Sequence, residues 1–110
     1  IKLFSQLKMI QIQKEIGESS WFGFSIILRD NCSFQRSVLI ELFSKNEIEC
    51  RPIVSGNFLK NDVLKYYNYE IHGELTNAEH LEKNGLFIGN HHYDISNEIE
   101  KTYHLIRTLL

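Results

Sequence analysis

Apolar and polar positions alternate most sharply between Trp21 and Arg29, where Phe22, Phe24, Ile26 and Leu28 fall on one face and Trp21, Gly23, Ser25 and Ile27 on the other. Both faces are mostly apolar, which predicts a central, buried strand. The period then changes to that of a helix. Phe34, Val38 and Leu42, joined by Leu39 and Phe43, form one apolar stripe that runs to about Lys45. Ser33 or Asn31 is the expected N-cap, and Asn46 the expected left-handed C-cap. A short strand follows at Ile48–Arg51 and stops at Pro52, the only proline of the chain. Val54-Ser55-Gly56-Asn57 reads as a turn with Gly56 at positive φ, and a short helix is expected from Lys60 to Tyr67. Of Tyr66, Tyr67 and Tyr69, at least two are expected to fill an edge of the core. Thr76-Asn77-Ala78-Glu79 has the form of a capping box and predicts a helix over 77–83, closed by Asn84-Gly85. Leu86-Phe87-Ile88 is an interior strand that opens into a second polar loop, Gly89-Asn90-His91-His92. A last amphipathic helix begins at Ser96, or at Asp94, and carries Ile99, Tyr103, Ile106 and Leu110 on one side.

These elements predict an α+β domain with about three strands covered by helices. Residues 1–19 read as a connecting segment, extended near Ile10 and Ile12, and residues 20–110 as the folded domain. The length of 110 residues suits a single core. Hydrophobic residues make up 43% of the chain, and no apolar run is long enough to cross a bilayer, so membrane insertion is not expected. With a formal charge of -2 and basic residues scattered among acids, nucleic acid is not an expected partner. Cys32 and Cys50 have no metal or scaffold spacing, which points to reduced thiols in a cytoplasmic protein.

The candidate chemistry lies in the two polar loops. Arg51, Ser55, Asn57, Asn90, His91 and His92 offer guanidinium, hydroxyl, amide and imidazole groups, a set suited to an anionic or sugar-like ligand. If both loops open on one edge of the sheet, the six residues share a pocket. His91 and His92 point apart as neighbours and have no carboxylate or thiol at ligand spacing, so no metal site is expected. No Gly-x-Ser-x-Gly elbow surrounds Ser55, and no phosphate-binding Gly-x-x-x-x-Gly-Lys loop is present.

Three motifs in order, Ser20-Trp21-Phe22-Gly23-Phe24, Ile48-Glu49-Cys50-Arg51-Pro52-Ile53-Val54-Ser55-Gly56-Asn57 and Gly85-Leu86-Phe87-Ile88-Gly89-Asn90-His91-His92, resemble the carboxy-terminal small domain of the DegT/DnrJ/EryC1/StrS family. Those are pyridoxal-phosphate enzymes of nucleotide-sugar metabolism with the aspartate-aminotransferase fold, and the motifs look most like the 4-keto-6-deoxyhexose 3-dehydratase branch. The resemblance implies that a large domain outside these residues holds pyridoxal 5'-phosphate and the catalytic residues. It also implies a nucleotide-sugar substrate, a homodimer, and a role in lipopolysaccharide O-antigen synthesis by 3-dehydration or transamination. Arg51, Ser55, Asn57, Asn90, His91 and His92 would then face the substrate. A free-standing, non-catalytic binding or protein-interaction domain is the alternative.

Overall fold

The computed structural model describes Ile1–Leu110. Four strands form one antiparallel sheet in the order β1-β2-β4-β3: β1 is Ile10–Ile12, β2 is Gly23–Leu28, β3 is Cys50–Pro52 and β4 is Gly85–Gly89. Three α-helices join them, α1 at Arg36–Lys45, α2 at Thr76–Asn84 and α3 at Ser96–Arg107. Short 3-10 turns occupy Phe4–Gln6, Phe58–Lys60 and Asp62–Tyr66.

Alternation along the strands sorts the side chains by face. The pairs Ile10↔Leu28, Ile12↔Ile26, Ile26↔Leu86, Phe24↔Ile88 and Cys50↔Ile88 place apolar residues on the same side. That side meets Leu39 and Phe43 of α1, Tyr103 and Ile106 of α3, and Phe4 and Leu7 from the amino-terminal turn, all of them buried. The Phe4 ring stands edge-on to both Phe24 and Tyr103, at 5.2 and 6.1 Å between centroids. The other side carries Gln11, Ser25, Ile27, Arg51 and Phe87, none of them buried. Gly23 lies beneath the Phe87 ring, where a Cβ would come within 2.9 Å of Cδ2, so this glycine is a packing glycine rather than a bulge.

The fourth strand comes from the segment read as a connection. Ile10 and Ile12 pair with β2, and Phe4, Leu7 and Ile10 are core residues, so residues 4–12 pack into the sheet and core while 14–19 stay exposed. Gln13 continues the ladder with its side chain, accepting from the Ser25 amide at 2.9 Å and donating to Gly23 O at 3.2 Å. The expected caps also move. α1 starts after Gln35 and α2 after Leu75, neither with a side-chain cap, because Thr76 already lies inside its helix and Ser33 falls short of the first turn. Asn46 is not left-handed; Glu47 is, with φ of 59°, while Asn46 Nδ2 donates to Leu42 O at 2.9 Å. In the turn after β3 the positive φ belongs to Ser55 rather than Gly56. Gly56 is needed for another reason, since a Cβ there would meet Glu82 N and Cα at 2.9 Å.

Residues 54–75 form an arm in which only Asn57 is buried. The helix expected at Lys60–Tyr67 is two 3-10 turns, begun by Asn57 and Asn61, whose side chains accept from the Leu59 and Val63 amides. Tyr66, Tyr67 and Tyr69 are all exposed, Tyr66 at 85%, and fill no core edge. The radius of gyration, 15.5 Å, exceeds the roughly 13 Å of a compact chain of this length.

Because β1 closes the core, Ile10→Ala is expected to destabilise the chain by about 2–5 kcal/mol, the usual cost of truncating a buried isoleucine. Urea unfolding followed by circular dichroism measures it. A cost near zero would return residues 1–19 to the role of a loose connection.

Candidate functional site

β3 and β4 run antiparallel, with Arg51 opposite Phe87 and Cys50 opposite Ile88. The loop that follows β3 and the loop that follows β4 therefore leave from opposite ends of the sheet. The six candidate residues do not share one pocket. Three of them, Arg51, Asn90 and His91, line a cleft of about 750 Å³ at the end where β2 and β3 begin and β4 stops. Ser55 and Asn57 lie at the other end, and His92 is outside the cleft lining.

Five of the six have a partner that limits their chemistry. The Arg51 guanidinium holds Glu49 Oε1 through Nη2 at 2.7 Å and Nε at 3.1 Å, with both side chains largely in solvent. Its charge is thus matched by the residue just before β3. Asn90 Nδ2 donates to Trp21 O at 2.8 Å. His91 stacks on Tyr93 at 4.9 Å between centroids, and His92 meets the same ring edge-on at 5.3 Å. Asn57 is only 6% exposed; its Oδ1 accepts from the Leu59 amide at 3.1 Å, and its own amide donates to Glu82 Oε2 at 3.1 Å. That is the work of a turn-forming residue.

Sequence reading missed three contributors to the cleft. Trp21 was assigned to a strand face, but β2 starts two residues later and Trp21 takes a left-handed φ of 53°. Glu49 reads in the sequence as a strand residue, and nothing there singles out Tyr93. With Gly23 opposite Gly89, the segments Trp21-Phe22 and Asn90-His91 leave the same end of the sheet side by side, and Asn90 reaches back to Trp21 O. The rest of the wall comes from Phe24, Ile88 and the first turns of α3, with Glu98 and Lys101 among the charged side chains there. Asp94, just before α3, accepts from the Ser96 hydroxyl and amide, which hold its carboxyl below the ordinary carboxylate range. Burial, and then the nearby Glu49 carboxylate, push the Cys50 thiol above its usual range, so it stands in the cleft wall as a neutral group. No group of three or more His, Cys, Asp or Glu side chains is arranged to hold a metal ion.

No family model matches the chain. Individual relatives do. The GDP-4-keto-6-deoxy-D-mannose 3-dehydratase of Yersinia pseudotuberculosis is 49% identical over 107 residues, which cover 96% of this chain and 27% of that protein. The solved structure of the E. coli GDP-4-keto-6-deoxy-D-mannose-3-dehydratase with bound hydrated PLP superposes with a TM-score of 0.90 at 48% identity, covering 94% of this chain and 27% of that one. The chain is a part-length homologue of these 3-dehydratases. The resemblance read from three motifs thereby stands at its dehydratase branch, and the expected α+β architecture matches a carboxy-terminal part of the dehydratase structures, with four strands in place of three. A lipopolysaccharide biosynthesis protein of Salmonella typhimurium is a more distant relative, 29% identical over 75 residues, which cover 68% of this chain and 17% of that protein. The chain spans about a quarter of the length of the curated 3-dehydratases it matches.

Its residues do not build a pyridoxal-phosphate site. The one lysine of the cleft, Lys101, is exposed and donates to Asn46 O at 3.3 Å, and Glu47, Glu49 and Glu98 crowd the same opening. A phosphate ester needs surplus cationic or amide donors, which this wall lacks.

Two measurements check these assignments. Asn57→Ala is expected to lower stability by about 1 kcal/mol through loss of its capping interaction, read from the urea midpoint. A midpoint equal to that of the unmodified chain would mean that Asn57 does not hold the turn. Alkylation of Cys50 by iodoacetamide is expected to be slow at neutral pH and to rise only in alkaline solution, as its raised thiol range requires. Fast labelling near pH 7 would contradict a neutral thiol.

Proposed function

We propose that the chain is the carboxy-terminal part of a pyridoxal-phosphate-dependent enzyme that removes the 3-hydroxyl group from a GDP-linked 4-keto-6-deoxy sugar during lipopolysaccharide O-antigen synthesis. What carries the reading is the 49% identity across 96% of the chain, together with the TM-score of 0.90 to a dehydratase. Dehydration is favoured over transamination because the relatives at 49% and 51% identity are 3-dehydratases. The longer protein is taken to act as a cytoplasmic homodimer, with the cofactor and the catalytic residues outside these 110 residues. When bound, pyridoxal phosphate supplies the electron sink for breaking the bond at C3 of the sugar.

The part left to this chain is binding and orientation. Arg51, Asn90 and His91 are assigned to the substrate side of the cleft, with His92 bracing Tyr93 from its edge. Ser55, exposed in its left-handed turn, is assigned to a second loop that meets the remainder of the longer protein. Phe22, Val54, Tyr66 and Tyr67 lie largely in solvent, and the arm lacks a core, as expected of surfaces that a further domain covers.

The reading frame around this chain, followed by expression of its full product, tests the reading. The long product is expected to bind pyridoxal phosphate and show its visible absorbance, while the 110-residue chain stays colourless in the presence of the cofactor. A long product without cofactor binding would leave a non-catalytic ligand-binding domain as the better account. Colour in the short chain would contradict the assignment of the cofactor site elsewhere.

A further inference from the structure

Trp21 is the single tryptophan of the chain and holds φ at 53°, a conformation that a bulky side chain keeps only when its surroundings enforce it. Two hydrogen bonds do so. The Trp21 amide donates to Ser19 Oγ at 3.1 Å, and Trp21 O accepts from Asn90 Nδ2 at 2.8 Å, a contact across 69 residues of sequence. The chain turns sharply here just before β2 begins. Trp21 is half-buried in the wall of the cleft, whereas Phe22 beside it is 93% exposed and lies outside.

The charges of the cleft decide which part of a nucleotide-linked molecule it suits. Glu47, Glu49 and Glu98 stand against Arg51 and Lys101, and Arg51 is already paired with Glu49. A diphosphate would find no surplus of positive charge. The cleft does offer aromatic surface from Trp21, while the Tyr93 ring is stacked on by His91, and the carboxylates of Glu47 and Glu98 line the same cleft. A nucleobase presents a π face for stacking, and a purine of the guanine type also presents adjacent N–H donors, which carboxylates accept. The volume is within the range of small-ligand sites.

We propose that this cleft receives the base of the nucleotide-linked substrate, that the base stacks on Trp21, and that Asn90 is a positioning residue that fixes Trp21 for the contact. The proposal rests on the dehydratase reading above and deepens it, giving the base to these residues and leaving the diphosphate and the sugar to the remainder of the enzyme.

Trp21 is its own reporter, since stacking of a base on an indole quenches its emission. Titration of the 110-residue chain with GDP is expected to give saturable quenching, and guanosine is expected to give the same, because the base carries the recognition. Asn90→Ala is expected to weaken that binding roughly five- to tenfold, as loss of one hydrogen bond would, with the far-UV circular dichroism unchanged. Ser19→Ala removes the other tether and is expected to act in the same direction, which keeps the test open should Asn90→Ala fail to fold. Absence of saturable quenching by either compound overturns the base site. Quenching by GDP that inorganic pyrophosphate abolishes while guanosine has no effect also overturns it, in favour of a phosphate site. Equal affinity in the unmodified chain and in both variants overturns the positioning role. If the long product binds pyridoxal phosphate while Trp21 ignores GDP and guanosine, this proposal alone fails. If Trp21 responds but the long product binds no cofactor, it is the dehydratase reading that fails.

Discussion

The antiparallel pairing of β3 with β4 is the constraint on which the arrangement depends. It is a short contact, three residue pairs from Cys50↔Ile88 to Pro52↔Leu86, yet it decides where every polar group of the two long loops can go. Had the strands run parallel, the turn after Pro52 and the loop after Gly89 would leave from the same end of the sheet. In the antiparallel arrangement the loop after β4 meets the starts of β2 and β3, which brings Asn90 to Trp21 and places Arg51 along the same cleft. The turn after β3 meets α2 instead, and its groups are used for packing: Asn57 holds the Leu59 amide, and Gly56 lies against the backbone of Glu82. Arg36 anchors the same carboxy-terminal end of that helix, its Nη1 donating to Glu82 O at 2.7 Å and Gly85 O at 3.0 Å. One sheet end is thus tied down by internal hydrogen bonds, while the other keeps an open cleft.

The core is thin for a chain of this length. Ten hydrophobic residues are buried, nearly all between one face of the sheet and the helices α1 and α3. Packing on a single face leaves Ile27 and Phe87 half-exposed on the other and gives the arm over 54–75 no apolar support. This distribution agrees with a chain that spans about a quarter of its curated relatives, since apolar side chains such as Tyr66 and Phe22 gain little from water on all sides.

Strands and helices with strong periodicity were legible in the sequence because their signal is local. β2, β4, α1 and α3 follow from spacing alone, and so does the placement of Ile26, Leu39, Phe43 and Ile106 in the core. The amino-terminal strand was not, because three residues of alternation cannot outweigh a polar neighbourhood; the partner that makes Ile10 a core residue is Leu28, eighteen positions away. The same limit applies to the site. Arg51, Asn90 and His91 stood out by residue type, and the structure brings them to one cleft. Asn57 stood out equally, but its amide is consumed by the turn it begins, which residue type does not reveal. Trp21 was hidden for the opposite reason. Its backbone conformation depends on a hydrogen bond from a loop that only the sheet register brings near.

The two outer strands have a consequence for how copies of this chain can meet. β1 has three residues, and the next places on its ladder are taken by the Gln13 side chain, which fills positions on β2 that another backbone would need. At the far border, β3 is equally short and ends in a residue with no N–H to offer. Neither rim therefore invites a foreign strand to zip on, and the chain escapes the open-ended stacking to which bare sheets are prone. Self-recognition, where it occurs, has to be written in side chains, which can be matched to a single partner in a way that a row of amides cannot.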